Sequence, residues 1–200
     1  MPLYAGENNS FSGTGGERNY IVYSVSNKSR TALSGTTNVN SFECISENAV
    51  SSGIVLTETE AGDNVINFSD ASLVMDISSF DCRNPLITRD MYRALGGSDS
   101  GIDIKLLDAR LIGSSLTSSN GNFKANAEIS INGQSNVVEL EVDWQRPESM
   151  QYHFEGKTEL SLSDFDIIPP SPAFGMIKVN DTITIHFNYI VEAGIFSQLD

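Results

Sequence analysis

Histidine, cysteine and tryptophan are scarce in this sequence, at two, two and one among 200 residues. A general base working near neutral pH is most often histidine. With only His153 and His186 present, a Ser-His-Asp arrangement has little to build on, and no Gly-x-Ser-x-Gly elbow replaces it. Two cysteines exclude a Cys-rich zinc site. No EF-hand spacing is present, so calcium has no recognisable loop. Gly13-x-Gly15-Gly16 does not join a strand to a helix, which removes the dinucleotide reading. The expectation is therefore no catalytic residue, no metal and no cofactor. Positive charge is also short: 12 Lys and Arg stand against 26 Asp and Glu, a net charge of −14. Such a surface repels phosphate backbones and anionic headgroups, which argues against nucleic acid and against basic-patch membrane docking. No apolar run reaches the roughly 18 residues that a transmembrane helix needs. No signal peptide is recognisable at the start.

What is abundant is a rhythm of Gly, Ser, Asn and Thr between short apolar runs, the pattern of strands joined by tight turns. Strands are expected at Tyr20 to Val25, Thr31 to Ile45 and Gly53 to Thr59, with a turn at Ala61-Gly62-Asp63-Asn64. Val65 to Asp81 reads as a strand bent near Ser69-Asp70. One helix interrupts, over about 84–96. Asn84 supplies the N-cap, Pro85 suits the first helical position, and Gly96-Gly97 ends it. Ile87, Met91 and Leu95 form its apolar stripe. A β-bulge near Leu107-Asp108 reconciles Ile102, Ile104 and Leu106 with Ala109 and Leu111, which have the opposite parity. Asn132-Gly133 is a hairpin signal. Residues 1–18 read as a flexible polar leader, 19–194 as one β domain and 195–200 as a tail.

The later strands each carry one apolar face. Phe123, Ala125, Ala127 and Ile129 share a side, as do Leu140 and Trp144, Phe154, Gly156 and Leu160, and Ile185, Phe187 and Tyr189. About eight such strands need a common interior, either a closed barrel or a sandwich. That interior either fills itself or holds one small ligand. Those twelve residues are the candidate lining, with small Gly156, Ala125 and Ala127 as positions that leave room for a ligand tail. His153 and His186 fall on the opposite, outward face. Glu139, Glu141 and Asp143 lie together on a polar strand face, read as solvated. Arg89 on the helix is a candidate for a ligand headgroup. Cys44 and Cys82 sit in echoing contexts, Ser-Phe-Glu-Cys and Ser-Phe-Asp-Cys. A disulfide and two buried free thiols are both open readings, and a bridge would favour an oxidising compartment.

Several stretches resemble the YceI-like family of bacterial lipid-binding proteins. They are Gly35 to Cys44, Ile77 to Cys82 with Ile87 to Leu95, Ile129 to Gly133 leading to Val138-Glu139-Leu140, Leu162 to Ile167, and Val179 to Ile185. The resemblance covers about Tyr20 to Val191. A glycine is frequent in the family where Asp166 stands here. The resemblance implies a single all-β, antiparallel, lipocalin-like barrel, export to the bacterial periplasm with the signal sequence removed, and a long apolar ligand such as an isoprenoid or fatty-acid derivative. The expected function is non-enzymatic binding of that molecule inside the barrel. The alternative is a filled barrel acting as a structural or interaction module of the envelope. A homodimer is the one self-assembly kept open.

Overall fold

Alternation of apolar and polar side chains produces antiparallel strands whose apolar faces turn toward one interior. The computed structural model describes residues 17–47, 52–59, 65–69, 71–112 and 118–197. Among these lie eleven strands: β1 (Glu17–Val25), β2 (Arg30–Thr37), β3 (Ser41–Ser46), β4 (Ser52–Thr59), β5 (Val65–Ser69), β6 (Ser72–Asp76), β7 (Gly101–Ile112), β8 (Asn120–Ile131), β9 (Gln134–Glu148), β10 (Gln151–Ser161) and β11 (Val179–Ser197). One α-helix, α1 (Pro85–Ala94), falls between β6 and β7. All strands join one sheet, in the order β1-β4-β5-β7-β8-β9-β10-β11-β2-β3, with β6 on β7.

The count exceeds the expected eight because three long strands are each broken in two. β1 and β2 both run antiparallel to β11, so they are successive halves of one strand. β4 and β3 flank those halves in turn, and β5 and β6 both pair β7. The break between β1 and β2 has a visible cause. At Ile190 the ladder is met by serines: its amide donates to Ser29 Oγ at 3.0 Å and its carbonyl accepts from the Ser26 amide at 2.8 Å. Two further expectations change. Thr31 to Ile45 is a hairpin, β2 and β3, whose turn is held by Thr37 Oγ1 accepting from the Asn40 amide at 2.9 Å. Val65 to Asp81 breaks into β5 and β6, close to the expected bend, and then becomes a 3-10 turn at Ile77–Ser79. The expected turn at 61–64 lies outside the described residues, as does most of the leader. Strand pairing runs past both expected domain limits, from Glu17 to Ser197.

The sheet curls into the expected lipocalin-like form, and β1 also pairs β11. It does not close along its whole height. Among the described residues β3 and β6 form no ladder; an isolated bridge of Ile45 with Asp81 and the Cys44–Cys82 disulfide join this seam. Ser46 and Ser79 hydroxyls add a 2.7 Å bond there. On the far side, the β9–β10 ladder stops at Glu141–Lys157, and a 3-10 turn, Leu162–Phe165, sits beside both strands. Both gaps fall at the end that carries α1.

That end is packed solid. Ile77, Phe80, Phe165, Ile102, Ile129 and Ile131 are the largest apolar side chains that are almost wholly buried. They belong to one cluster with the disulfide, Leu160, Leu162, Ile183 and Ile185, and Ile87, Met91 and Tyr92 of α1 pack against it. α1 begins as read: Asn84 Oδ1 accepts from the Leu86 amide at 3.0 Å, with Pro85 following. Tyr92 ties it down by donating to the carbonyl of Phe80 at 2.9 Å. Asp166 ends the second 3-10 turn with φ 55°, left-handed backbone that glycine adopts without strain.

Candidate functional site: the barrel interior

Register decides which side chains share the interior, because directly paired residues lie on one face. Phe123 pairs Val142, Ala125 pairs Leu140 and Ala127 pairs Val138. Phe154 pairs both Trp144 and Tyr189, and Gly156 pairs Phe187. Ile185 pairs Leu33 and Ile129 pairs Ile104. Leu160 pairs Ile183. All twelve lining candidates therefore face one side, and that side includes the buried core. The bulge lies where the parity argument puts it: the β7–β8 register skips Leu107 between Leu106 and Asp108. The Asn132-Gly133 turn has φ of 52° and 81°, the two positive values of a tight two-residue hairpin.

The twelve do not form one uniform surface. Ile129, Leu160 and Ile185 belong to the packed cluster beside α1. Ala125, Ala127 and Trp144 are buried but lie outside that cluster. Phe123, Leu140, Phe154, Gly156, Phe187 and Tyr189 are only half-buried although they face inward. The interior is thus solid beside α1, and these six inward side chains keep accessible surface in a second region, toward the end that carries β1, β4 and β5. Aromatic rings line that second region. Phe123 meets Phe154 edge-on at 6.1 Å, Tyr152 stacks on Phe154 at 6.0 Å, and Trp144 lies 6.4 Å from Tyr152. Tyr152 is absent from the expected lining, although its parity with Phe154 and Gly156 points to it.

Three expectations are revised. Gly156 does not leave space for a tail, because the ring of Phe187 already lies over it. A Cβ there would stand 2.5 Å from Phe187 Cζ and 2.6 Å from the Glu141 carbonyl oxygen. The ring has some freedom to yield and the backbone oxygen has little. Gly156→Ala is therefore expected to lower unfolding stability by about 1–3 kcal/mol, the usual cost of overpacking, readable as a lower urea midpoint. Ala125 and Ala127, at 1% and 0% exposure, are covered by neighbours and leave no open room of their own. Arg89 is not brought to the interior. Its guanidinium is exposed and lies 3.3 Å from Asp90 Oδ1 on the outer side of α1. Ile87 and Met91 take the inward stripe, and Arg89, two residues from each, falls across the helix from it.

Polar groups also enter the interior. Thr31 is fully buried, and its Oγ1 lies 2.8 Å from the hydroxyl of Tyr189, which also approaches Met75 Sδ at 3.6 Å. Burial raises the Tyr189 pKa above the ordinary tyrosine value, and the Thr31 bond opposes that rise. The folded state therefore holds this proton more tightly than the unfolded chain. The associated stability is complete below the ordinary value of about 10 and falls as pH rises through the folded value. Tyr189→Phe should remove this part of the alkaline loss. Thermal midpoints of wild type and variant, compared from about pH 8 to about pH 11, should converge as pH rises. A constant difference would contradict the assignment.

The outer face is polar. Lys124 bridges Glu139 at 2.6 Å and Glu141 at 3.5 Å, and these carboxylates raise its pKa. His186 is exposed, and His153 Nε2 lies 3.3 Å from Gln151 Oε1. An outer groove of about 540 Å³ crosses β3, β2, β11 and β10, and is lined by Ser34, Thr36, Glu43, Glu159, Thr182 and Thr184 among others. Its hydroxyls and carboxylates do not suit an apolar molecule. No helix among the described residues is long and apolar enough to cross a membrane.

A sequence model of the YceI-like domain matches residues 24–191. The chain belongs to the YceI-like family. Two solved structures share the fold at low identity. One is a polyisoprenoid binding domain from Saccharophagus degradans implicated in plant cell wall breakdown. It is 11% identical, with a TM-score of 0.58, over 86% of this chain and 98% of that one. The other is BcnA of Burkholderia cenocepacia, 14% identical with a TM-score of 0.55, over 83% of this chain and 98% of that one. No curated protein matches the sequence. The YceI-like assignment agrees with the resemblance read from the strand-helix segment, Ile77 to Leu95.

Proposed function

We propose that this YceI-like chain is a non-enzymatic carrier that holds one long apolar molecule, an isoprenoid or fatty-acid derivative, inside its barrel. The carrying observation is the half-buried state of inward-facing Phe123, Leu140, Phe154 and Phe187 beyond the packed cluster. Apolar side chains that face inward yet keep accessible surface are what a ligand would cover. The similar fold of a polyisoprenoid binding domain supports the ligand class. Both histidines lie away from the interior, which supports binding rather than acid-base chemistry. The Cys44–Cys82 bridge favours an oxidising compartment such as the bacterial periplasm.

The test is solvent extraction of protein purified from its own host, with mass spectrometry of the extract. One hydrophobic molecule, near equimolar with protein, is expected. The reading fails if the extract is empty and the protein also shows no saturable uptake of a long-chain lipid. A barrel that serves only as an interaction module would give that result.

A further inference from the structure

Trp144 is 5% exposed, and its Nε1 is a buried donor without a hydrogen-bond partner among the described residues. A buried donor left unpaired costs free energy, so native structures seldom keep one without a reason. Its neighbours do not supply an acceptor. Trp144 pairs Gly121 and Phe154 across its two flanking strands, and the ring of Tyr152 lies beside it. The register places its side chain on the interior face, outside the packed cluster beside α1. The residue therefore faces the region where the apolar molecule would lie, Nε1 itself being covered by neighbouring side chains in the unliganded chain, and an indole N–H can only donate.

We infer that Trp144 Nε1 is the polar anchor of the ligand site: it donates a hydrogen bond to an oxygen on the bound lipid's polar end. This rests on the carrier reading above and adds orientation to it. The oxygen-bearing end lies at Trp144, among Tyr152, Phe154 and Phe123. The chain extends inward past Leu140 and Phe187 toward the packed cluster. The recognised chemistry is an oxygen acceptor on a long alkyl or prenyl chain, whether a neutral ester or a carboxylate. A trapped water is the competing partner for the same N–H.

Three probes with one chain length separate these cases: methyl palmitate, palmitate and hexadecane. They are titrated into delipidated wild type and Trp144→Phe. The variant is expected to bind one or both oxygen-bearing probes roughly 3- to 10-fold more weakly, the range of one net hydrogen bond. Hexadecane binding should not change. Equal loss on all three probes, or no loss on any, overturns the inference. Should the wild type bind none of the three and its extract be empty, the carrier reading fails instead. A second measurement needs no variant. Trp144 is the sole tryptophan, so the indole N–H gives one proton–nitrogen NMR signal. That signal should move downfield with an ester or carboxylate probe and not with hexadecane. The same response to all three, or none, indicates water or packing and overturns the inference. Comparing ester with carboxylate tells which oxygen the site prefers.

Discussion

Replacing Cys44 and Cys82 together with alanine will lower unfolding stability by roughly 4 kcal/mol, from the chain-entropy value of a loop this long. The bridge spans 38 residues of chain. For a domain of this size that corresponds to a fall of about 8–16 °C in thermal midpoint. Alanine is the appropriate substitute because Cys44 is fully buried and a serine hydroxyl would be stranded there. The loss should also be local. The disulfide spans the one seam where β3 and β6 form no ladder, held otherwise by the Ile45–Asp81 bridge and the Ser46–Ser79 bond. Amide exchange should therefore quicken most at Cys44 to Ser46 and Phe80 to Cys82. The β8–β9 hairpin, paired continuously from Asn120 to Ile131, should change least. Uniform quickening over the whole sheet would show that the bridge acts only through the unfolded chain. Reduction of wild type by a thiol should reproduce the variant if the bond is accessible once the seam opens.

That seam shows what a single sequence carries and what it omits. Facing follows from parity, a local property, so the inward set from Phe123 to Tyr189 was readable strand by strand. The bulge at Leu107 was readable for the same reason, since two parities collided within one apolar run. The helix announced itself through Asn84, Pro85 and the glycines after Leu95. Pairing between distant segments leaves no such local trace. Nothing in Ser26 to Ser29 shows that two serines meet the backbone of Ile190, 161 residues away from Ser29 in sequence, and so split one strand into two. Thr31 to Ile45 reads as one strand because its turn carries no Asn-Gly or Asp-Gly pair. In fact Thr37 Oγ1 and the Asn40 amide make their own turn. Room inside a barrel is also invisible to parity. Gly156 looked like space, but the space belongs to Phe187 on the neighbouring strand. The orphaned indole of Trp144 required knowing that nothing on β8 or β10 reaches it.

Leu140→Trp will separate a carrier from a filled barrel, because the two readings assign it opposite outcomes. Leu140 faces inward beside Ala125, is half-buried and stands outside the packed cluster. Where the interior is solid, a larger ring must be forced into occupied volume, at about 1–3 kcal/mol of stability. No ligand affinity would be lost, as none would exist. Where the interior is a ligand chamber, the new ring enters vacant volume and the unliganded protein keeps its thermal midpoint within a few degrees. The ring then displaces part of the bound chain. Each buried methylene contributes about 0.8 kcal/mol, so excluding roughly four of them removes about 3 kcal/mol, or about 100-fold in affinity. Calorimetric titration of delipidated protein with palmitate measures the affinity, and a melt of the same sample measures stability. Retained stability with lost affinity is the expected pair. A destabilised variant that binds palmitate as the wild type does would place the ligand elsewhere. The same experiment constrains Trp144: blocking at Leu140 should cost a short-chain ester less than palmitate, because the oxygen end is held at Trp144 and only the inner end of the chain meets the new ring.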